Sequence, residues 1–450
     1  MRITLTKDEI LNGNLFKGLI KITIPLIFLN LINTLYGVVD TYFVGRIGEL
    51  QVGAISVISP ITACGTAFTE GLCAAGISLI SRSIGKGNED KARKIAAHLL
   101  MLCVLLGIIA CGVILTFGKD ILLWLEVPSN IIDDSNAYLF GIAFDFVFLF
   151  IVSMYQAIRQ AHGDSKSGVI LNTVAAILNC ILDPIFIFTF NMGTLGAAIA
   201  TVLSKAIVTP IALYKLFKGP DSIGIEDSRL DFSLLQEIIK VAIPSSIGFF
   251  LSSFGFILMQ KEIAVYGAIA LSAYGVGSKI SSIYYIFVNC WGTGLATFVG
   301  TSLGAGDENR ARSAFKSSII IVGIVSAIFI PLGFLTSRGF VNLFIKDISD
   351  ELMAMALEYA YYSIFTAFCM GWMNSLVGVF NGSGNTLISM ILNGSRIWFI
   401  RIPIIKLLNA VTSFGVANIW IAMCLSNLIV CLIGTYFYTH YKWQSTKLKI

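Results

Sequence analysis

The chain has 450 residues, 56% of them hydrophobic and 13% charged, with a mean hydropathy of +0.84 and a formal net charge of +5. Soluble domains carry about 25% charged residues, so an ordinary cytosolic enzyme, a disordered chain and a nucleic-acid binder are all excluded. Nine cysteines lie in apolar stretches with no CxxC pair, and His98, His162 and His440 are far apart in the chain. Neither a metal site nor a His-based catalytic site is expected.

A spanning helix needs roughly 20 apolar residues. Twelve such segments follow in chain order, at about 18–43, 53–80, 95–117, 136–158, 167–190, 194–216, 235–260, 268–298, 315–336, 357–380, 387–408 and 413–439. The first is too long for a signal sequence and follows a polar head containing Lys7, Asp8 and Glu9;. Pro25 inside it predicts a kinked helix. With the N-terminus in the cytoplasm, Lys and Arg crowd the inner side, and the outer side holds only Arg46, Lys119, Lys261, Arg338, Lys346 and Lys406. That bias places both termini in the cytoplasm and requires an even number of spans.

The chain is internally repeated. Gly85-Lys-Gly-Asn-Glu-Asp-Lys-Ala-Arg93 matches Gly304-Ala-Gly-Asp-Glu-Asn-Arg-Ala-Arg312, and Ile24-Pro25 matches Ile243-Pro244. Gly163-Asp164 likewise aligns with Gly384-Asn385, and Asn172 with Asn393. Residues 1–217 and 235–450 therefore read as two six-helix lobes of the same orientation, joined by a polar cytoplasmic linker at 218–234. Parallel repeats of this kind build transporters that rock about a central site.

An acid within a membrane span is costly and marks a functional site by default. Asp40, Glu70, Asp145 and Asp183 are such acids, and all lie in the first half; the second half carries Lys279, Arg396 and Arg401 instead. Ion coupling is therefore expected in the N-terminal lobe. At 1.5 Å per residue, Asp40, Asp183 and Thr201 share a level roughly 8–11 Å below the outer surface. Asn33, Tyr36 and Asp40 are spaced on one helix face, as are Asn172, Asn179 and Asp183. Glu70 and Asp145 lie near mid-membrane. Either faces the central cavity, or Asp145 pairs with Lys205.

The run Pro25…Asn33…Asp40…Gly45-Arg-Ile-Gly48, the Gly85/Gly87 and Gly304/Gly306 loops, the Gly163-Asp164 turn, and Asn179-Cys-Ile-Leu-Asp183-Pro184 with Thr201 together resemble multidrug and toxic compound extrusion (MATE) transporters of the DinF-type branch. The resemblance covers essentially the whole chain. It implies an all-α, V-shaped membrane fold of twelve helices in two bundles. It further implies export of amphipathic, often cationic compounds in exchange for H+ or Na+. By resemblance the coupling site comprises Tyr36, Asp40, Asn179, Asp183 and Thr201, with Na+ at Asp40, Asn179, Asp183 and Thr201 as the alternative to a proton. Asn33, Asn172, Glu70 and Asp145 are the substrate-cavity candidates. Ser252 stands where NorM-type members carry a seventh-helix acid, which argues against a second cation site of that kind.

The alternative within the same superfamily is a flippase for lipid-linked or polysaccharide precursors, whose anionic headgroup would suit the deep bases. A major facilitator carrier lacks its loop motif here. A membrane enzyme lacks a nucleophile, metal or cofactor motif, and a primary pump lacks a nucleotide site. The expectation is a monomeric, multi-pass cell-membrane transporter without catalytic residues, resident metal or cofactor. Its partners are small amphipathic molecules and the bilayer, not nucleic acid.

Overall fold

A computed structural model describes residues 5–47, 49–124, 127, 129, 131–218, 222–223, 231–344 and 350–445. Gly48 of the first-helix motif, Lys346 and most of the linker at 218–234 lie outside the described residues. A short helix α1 (Lys7–Asn12), closed by a capping box between Thr6 and Glu9, leads into α2 (Leu15–Gly45), α3 (Glu49–Gly85) and α4 (Glu89–Trp124). Then follow α5 (Ile132–Ala143), α6 (Asp145–Ala161), α7 (Ser165–Pro184) with a π turn at Ile185–Thr189, and α8 (Gly193–Phe217). The second half repeats the order as α9 (Phe232–Ala264), α10 (Ala268–Gly304), α11 (Glu308–Phe344), α12 (Asp350–Phe365) and α13 (Ala367–Gly382). It ends with α14 (Thr386–Ser395), a π turn at Arg396–Arg401, α15 (Ile402–Val411) and α16 (Ala417–His440).

Among the described residues, ten helices are long and apolar enough to cross a membrane, and twelve spans result when the bent pairs α5–α6 (44°) and α12–α13 (46°) each count as one. The predicted segments 136–158 and 357–380 are thus broken spans, and they break at equivalent places in the repeat. Helix α2 runs unbroken through Pro25. Rows of large apolar side chains such as Leu105, Ile108, Ile109 and Val113 on α4, and Ile320, Ile324 and Ile328 on α11, face outward. Such faces suit a bilayer and not water.

The hydrophobic cores do not divide where the sequence halves divide. Leu19, Ile22 and Leu26 at the start of α2 belong to a core built from α10, α11, α13, α14 and α16. Conversely, Leu234, Ile238, Val241 and Ala242 at the start of α9 belong to the core of the first half. Farther along, α2 joins its own half through Tyr36, and α9 joins its own through Met259 and Ile263. Each bundle's first long helix therefore begins in the other bundle, and Pro25 and Pro244 sit at the repeat-equivalent crossover positions.

The two halves close against each other at the end bearing the Gly85 and Gly304 loops. Here Arg82 donates to the Ser383 carbonyl at 2.6 Å, and Lys91 of α4 pairs with Glu237 of α9 at 3.3 Å. What is described of the linker is tied down at the same end. Asp231 caps α9 by accepting from Ser233 and Leu234, and its own N–H donates to His98 Nε2 at 3.0 Å. Since His98 Nδ1 sits 2.8 Å from the Lys94 carbonyl, the ring is held as the Nδ1–H tautomer.

At the turn between α6 and α7, Gly163 takes φ +83°, as its repeat mate Gly384 takes +77°. Asp164 then caps α7 by accepting from the Ser167 N–H at 3.0 Å, and it receives Arg159 Nε at 2.9 Å. Burial pushes the Asp164 carboxyl up, but the Ser167 hydroxyl and the Arg159 guanidinium outweigh it and hold the group below the usual carboxylate range. A depressed native pKa gives stability that is present above the unfolded value, about 3.9, and lost as pH falls through the native value. Asp164→Asn takes the carboxylate from a buried guanidinium and is expected to cost about 3 kcal/mol. Thermal unfolding in detergent at neutral pH reads that loss. The variant should also lose the part of the acid-induced destabilisation that wild type shows below about pH 4.

Candidate functional site

Helices α2, α7 and α8 bring the predicted coupling residues together inside the first bundle. Tyr36 OH lies 3.1 Å from Thr201 Oγ1. Thr201 itself donates to the Ala197 carbonyl at 3.1 Å, so the phenol is the donor between them. Asn179 Nδ2 also donates to Thr201 Oγ1, at 3.3 Å. Thr201 is thereby saturated, and the amide oxygen of Asn179 is left buried without a donor.

Asp183 is fully buried, and neither of its carboxylate oxygens has a hydrogen-bond partner among the described residues. Oδ1 of Asp40 is likewise buried and unpartnered, and the two acids lie within Coulombic range of each other. A buried acceptor without a donor costs about 1–3 kcal/mol, more when charged. Four such oxygens, one from Asp40, one from Asn179 and two from Asp183, therefore form a site that a proton or a small cation would complete. Local structure explains the placement. Pro184 removes the N–H that would continue the α ladder, and the chain widens into the π turn directly after Pro184.

Asp145 begins α6 just past the 44° bend. Its Oδ2 pairs with Lys205 Nζ at 2.5 Å, and with Thr201 and Tyr138 it lines a small cavity of about 210 Å³. Of the two expected positions it therefore takes the ion pair and not the central cavity. Tyr138, which sequence reasoning did not single out, lies within Coulombic range of Asp40, Asp145 and Asp183. Its spacing of seven residues from Asp145 was the available signal, although the helix bend lies between them.

Between the two halves lies a larger cavity of about 570 Å³. Asn33, Asn172 and Glu70 line it, as expected, together with Tyr36. Glu70 is the only carboxylate in that lining and Lys205 the only cation, among the described residues. Apart from the hydroxyls of Tyr36, Ser153 and Thr293, the rest of its side-chain polarity is mostly carboxamide, contributed by both halves: Gln156 and Gln160 on one side, and Asn289, Asn374, Asn381 and Asn393 on the other. Some of these amides already hold one another, as Asn172 does with Gln156 (3.0 Å) and Asn374 with Asn289 (2.9 Å). The Asn374/Asn381 pair, seven residues apart on α13, was legible as a stripe but went unread. Tyr36 and Lys205 touch both the central cavity and the acid cluster, so they connect the two. Lys279, Arg396 and Arg401 do not line the central cavity. No group of three or more His, Cys, Asp or Glu side chains with metal-site geometry occurs among the described residues.

Comparison with known proteins gives a consistent picture. The family model MatE matches residues 25–185 and 244–407, two stretches whose starts are offset like Pro25 and Pro244. The chain is 24% identical over 435 residues, 94% of it and 93% of the relative, to the probable multidrug resistance protein YoeA of Bacillus subtilis. It is 24% identical over 427 residues, 92% of each, to the multidrug export protein MepA of Staphylococcus aureus. Among solved structures, MATE in complex with MaL6 superposes with a TM-score of 0.91 at 20% identity, covering 96% of this chain and 98% of that one. The outward-facing conformation of a multidrug resistance MATE family transporter of the MOP superfamily gives 0.90 at 20% identity, covering 96% and 97%.

Proposed function

The chain belongs to the MatE family of membrane transporters, and from that premise we propose that it is a secondary antiporter that exports amphipathic, cationic compounds in exchange for H+. The observation that carries the exchange is the pair Asp40, half-buried, and Asp183, fully buried, within Coulombic range of each other and with unpartnered oxygens. Two carboxylates in one desolvated pocket favour holding a proton between them, and they titrate as a unit. The same carboxylate oxygens with the amide oxygen of Asn179 are hard donors of the kind that bind Na+, whereas Thr201 could join them only by giving up one of its present hydrogen bonds; Na+ is therefore the competing coupling ion.

The central cavity supports the substrate class. Its carboxamides make hydrogen bonds without imposing charge, and Glu70 supplies one attraction for a cation. An anionic headgroup, as in the flippase alternative, would meet only Lys205, which is already paired with Asp145. Relatives named as multidrug resistance and multidrug export proteins favour the same reading.

In the cell membrane, with both termini cytoplasmic as the Lys/Arg bias indicates, the closed end of the molecule faces inward. Protonation from the outside would neutralise the acid pair and release the substrate outward. Deprotonation inside would restore the binding state. The test is efflux of a fluorescent lipophilic cation from proteoliposomes under an imposed pH gradient or an imposed Na+ gradient. Export driven by the pH gradient alone supports the proposal; export that follows Na+ and ignores pH overturns its choice of ion, and no response to either overturns antiport.

A further inference from the structure

The second bundle poses the opposite electrostatic problem. Arg396 and Arg401 bound the π turn between α14 and α15, and they are only 5% and 2% exposed. Five residues apart on an α-helix, two side chains diverge by about 140°. The i→i+5 geometry of a π turn brings them back to one side, so this irregular turn is what sends both guanidiniums into the bundle.

Neither finds a carboxylate. Arg401 donates to Ser426 Oγ at 2.9 Å and to Asn427 Oδ1 at 3.0 Å, both neutral acceptors. Arg396 has Met370 Sδ at 3.1 Å and the Phe256 ring 6.0 Å away, and its Nε has no partner. Among the described residues no Asp or Glu forms an ion pair with either. An arginine does not lose its charge in a protein, and a buried ion without a counterion costs several kcal/mol.

The same bundle holds a further buried donor without an acceptor, the indole N–H of Trp420. Trp420 is fully buried and packs on Tyr359 and Tyr274, with ring centroids 4.8 and 6.3 Å away. Those two phenols, with Tyr285, lie in the electrostatic field of Arg401. The first bundle's site is short of donors, with carboxylate and amide oxygens unpartnered. In the second bundle, positive charge and N–H groups are in excess.

We propose that the second bundle binds a small monovalent anion of the chloride class at Arg396 and Arg401. The site is separate from the central cavity, which neither arginine lines. Side chains buried to this degree suit a compact inorganic ion and not a phosphorylated headgroup or an organic acid. Such an ion would neutralise one of the two charges and complete the unpaired donor of Arg396. It would act as a structural counterion within the C-terminal bundle, whatever the central cavity transports.

The test uses the purified full-length chain in detergent, with Na+ and ionic strength fixed and chloride replacing gluconate in steps. Tm is expected to rise saturably with chloride, and bromide is expected to do the same. In Arg396→Gln, which removes one charge and the unpaired donor, the saturable dependence should be lost. Superimposed chloride and gluconate series for wild type would overturn the proposal, as would a wild-type chloride response in the variant. Bromide-soaked crystals of the wild-type protein give a readout that needs no variant to fold. An anomalous peak beside residues 396 and 401 supports the site, and peaks only at the protein surface refute it.

Discussion

Asp183→Asn is expected to reduce pH-driven export to the background leak while leaving the protein as stable as wild type, or more so. Asparagine has the shape of the protonated acid but cannot release a proton. Each proton moved across 100 mV supplies about 2.3 kcal/mol. Losing one from the cycle should therefore lower the steady-state substrate gradient by about 50-fold. The stability half of the prediction comes from the same geometry. Asp183 is fully buried with both oxygens unpartnered, so an amide removes a charge that the fold does not compensate. Asp40→Asn should act in the same direction.

Asp145 provides the contrast. Its carboxylate is paired with Lys205, so Asp145→Asn leaves a half-buried ammonium without that partner. The expected cost is a loss of about 3 kcal/mol in stability. A purely structural reading of the acid cluster predicts that all three variants lose stability together. Proteoliposome efflux measured beside Tm in detergent separates the readings. Wild-type accumulation by Asp183→Asn would remove it from the coupling step.

Much of this site was legible because helix spacing is periodic. Tyr36 and Asp40, and Asn179 and Asp183, fall on single helix faces, and the structure brings those faces together at Thr201. Tyr138 escaped because it stands across a bend that no Pro announces; residues 143–145 read Ala-Phe-Asp. The matching bend at Thr366 is equally silent in the sequence. Likewise, two six-helix units were readable from the repeat, but the exchange of α2 and α9 between cores was not. Leu19 and Ile22 look like any other membrane leucine and isoleucine. Only their neighbours across the interface decide which core they join.

That interface also sets the second large effect. Gly85 and Gly304 are repeat mates at the ends of α3 and α10, and each lies against the other's helix. A Cβ on Gly304 would sit 2.8 Å from the Arg82 carbonyl carbon and 2.9 Å from its Cα. A Cβ on Gly85 would meet the Thr301 carbonyl carbon at 2.9 Å and the Ala305 nitrogen at 3.0 Å. Arg82 and Thr301 are themselves repeat mates, so the same contact is made twice about the pseudo-two-fold axis. Each obstacle is backbone in a helix, which cannot swing aside as a side chain can.

Gly304→Val should therefore wedge this end open without disturbing either bundle's core. Spin labels at the exposed repeat mates Asp90 and Asn309 would report the change. Their separation should lengthen relative to wild type, and export should fall to background because the closed state of the cycle is no longer reached. Gly275→Ala, where an added Cβ meets nothing within 4 Å, should leave both readouts at wild-type values. If Gly304→Val keeps the wild-type distance distribution and exports normally, close packing at this seam is not what shuts the molecule. The burden of closure would then pass to polar contacts such as Lys91 with Glu237 and Arg82 with the Ser383 carbonyl.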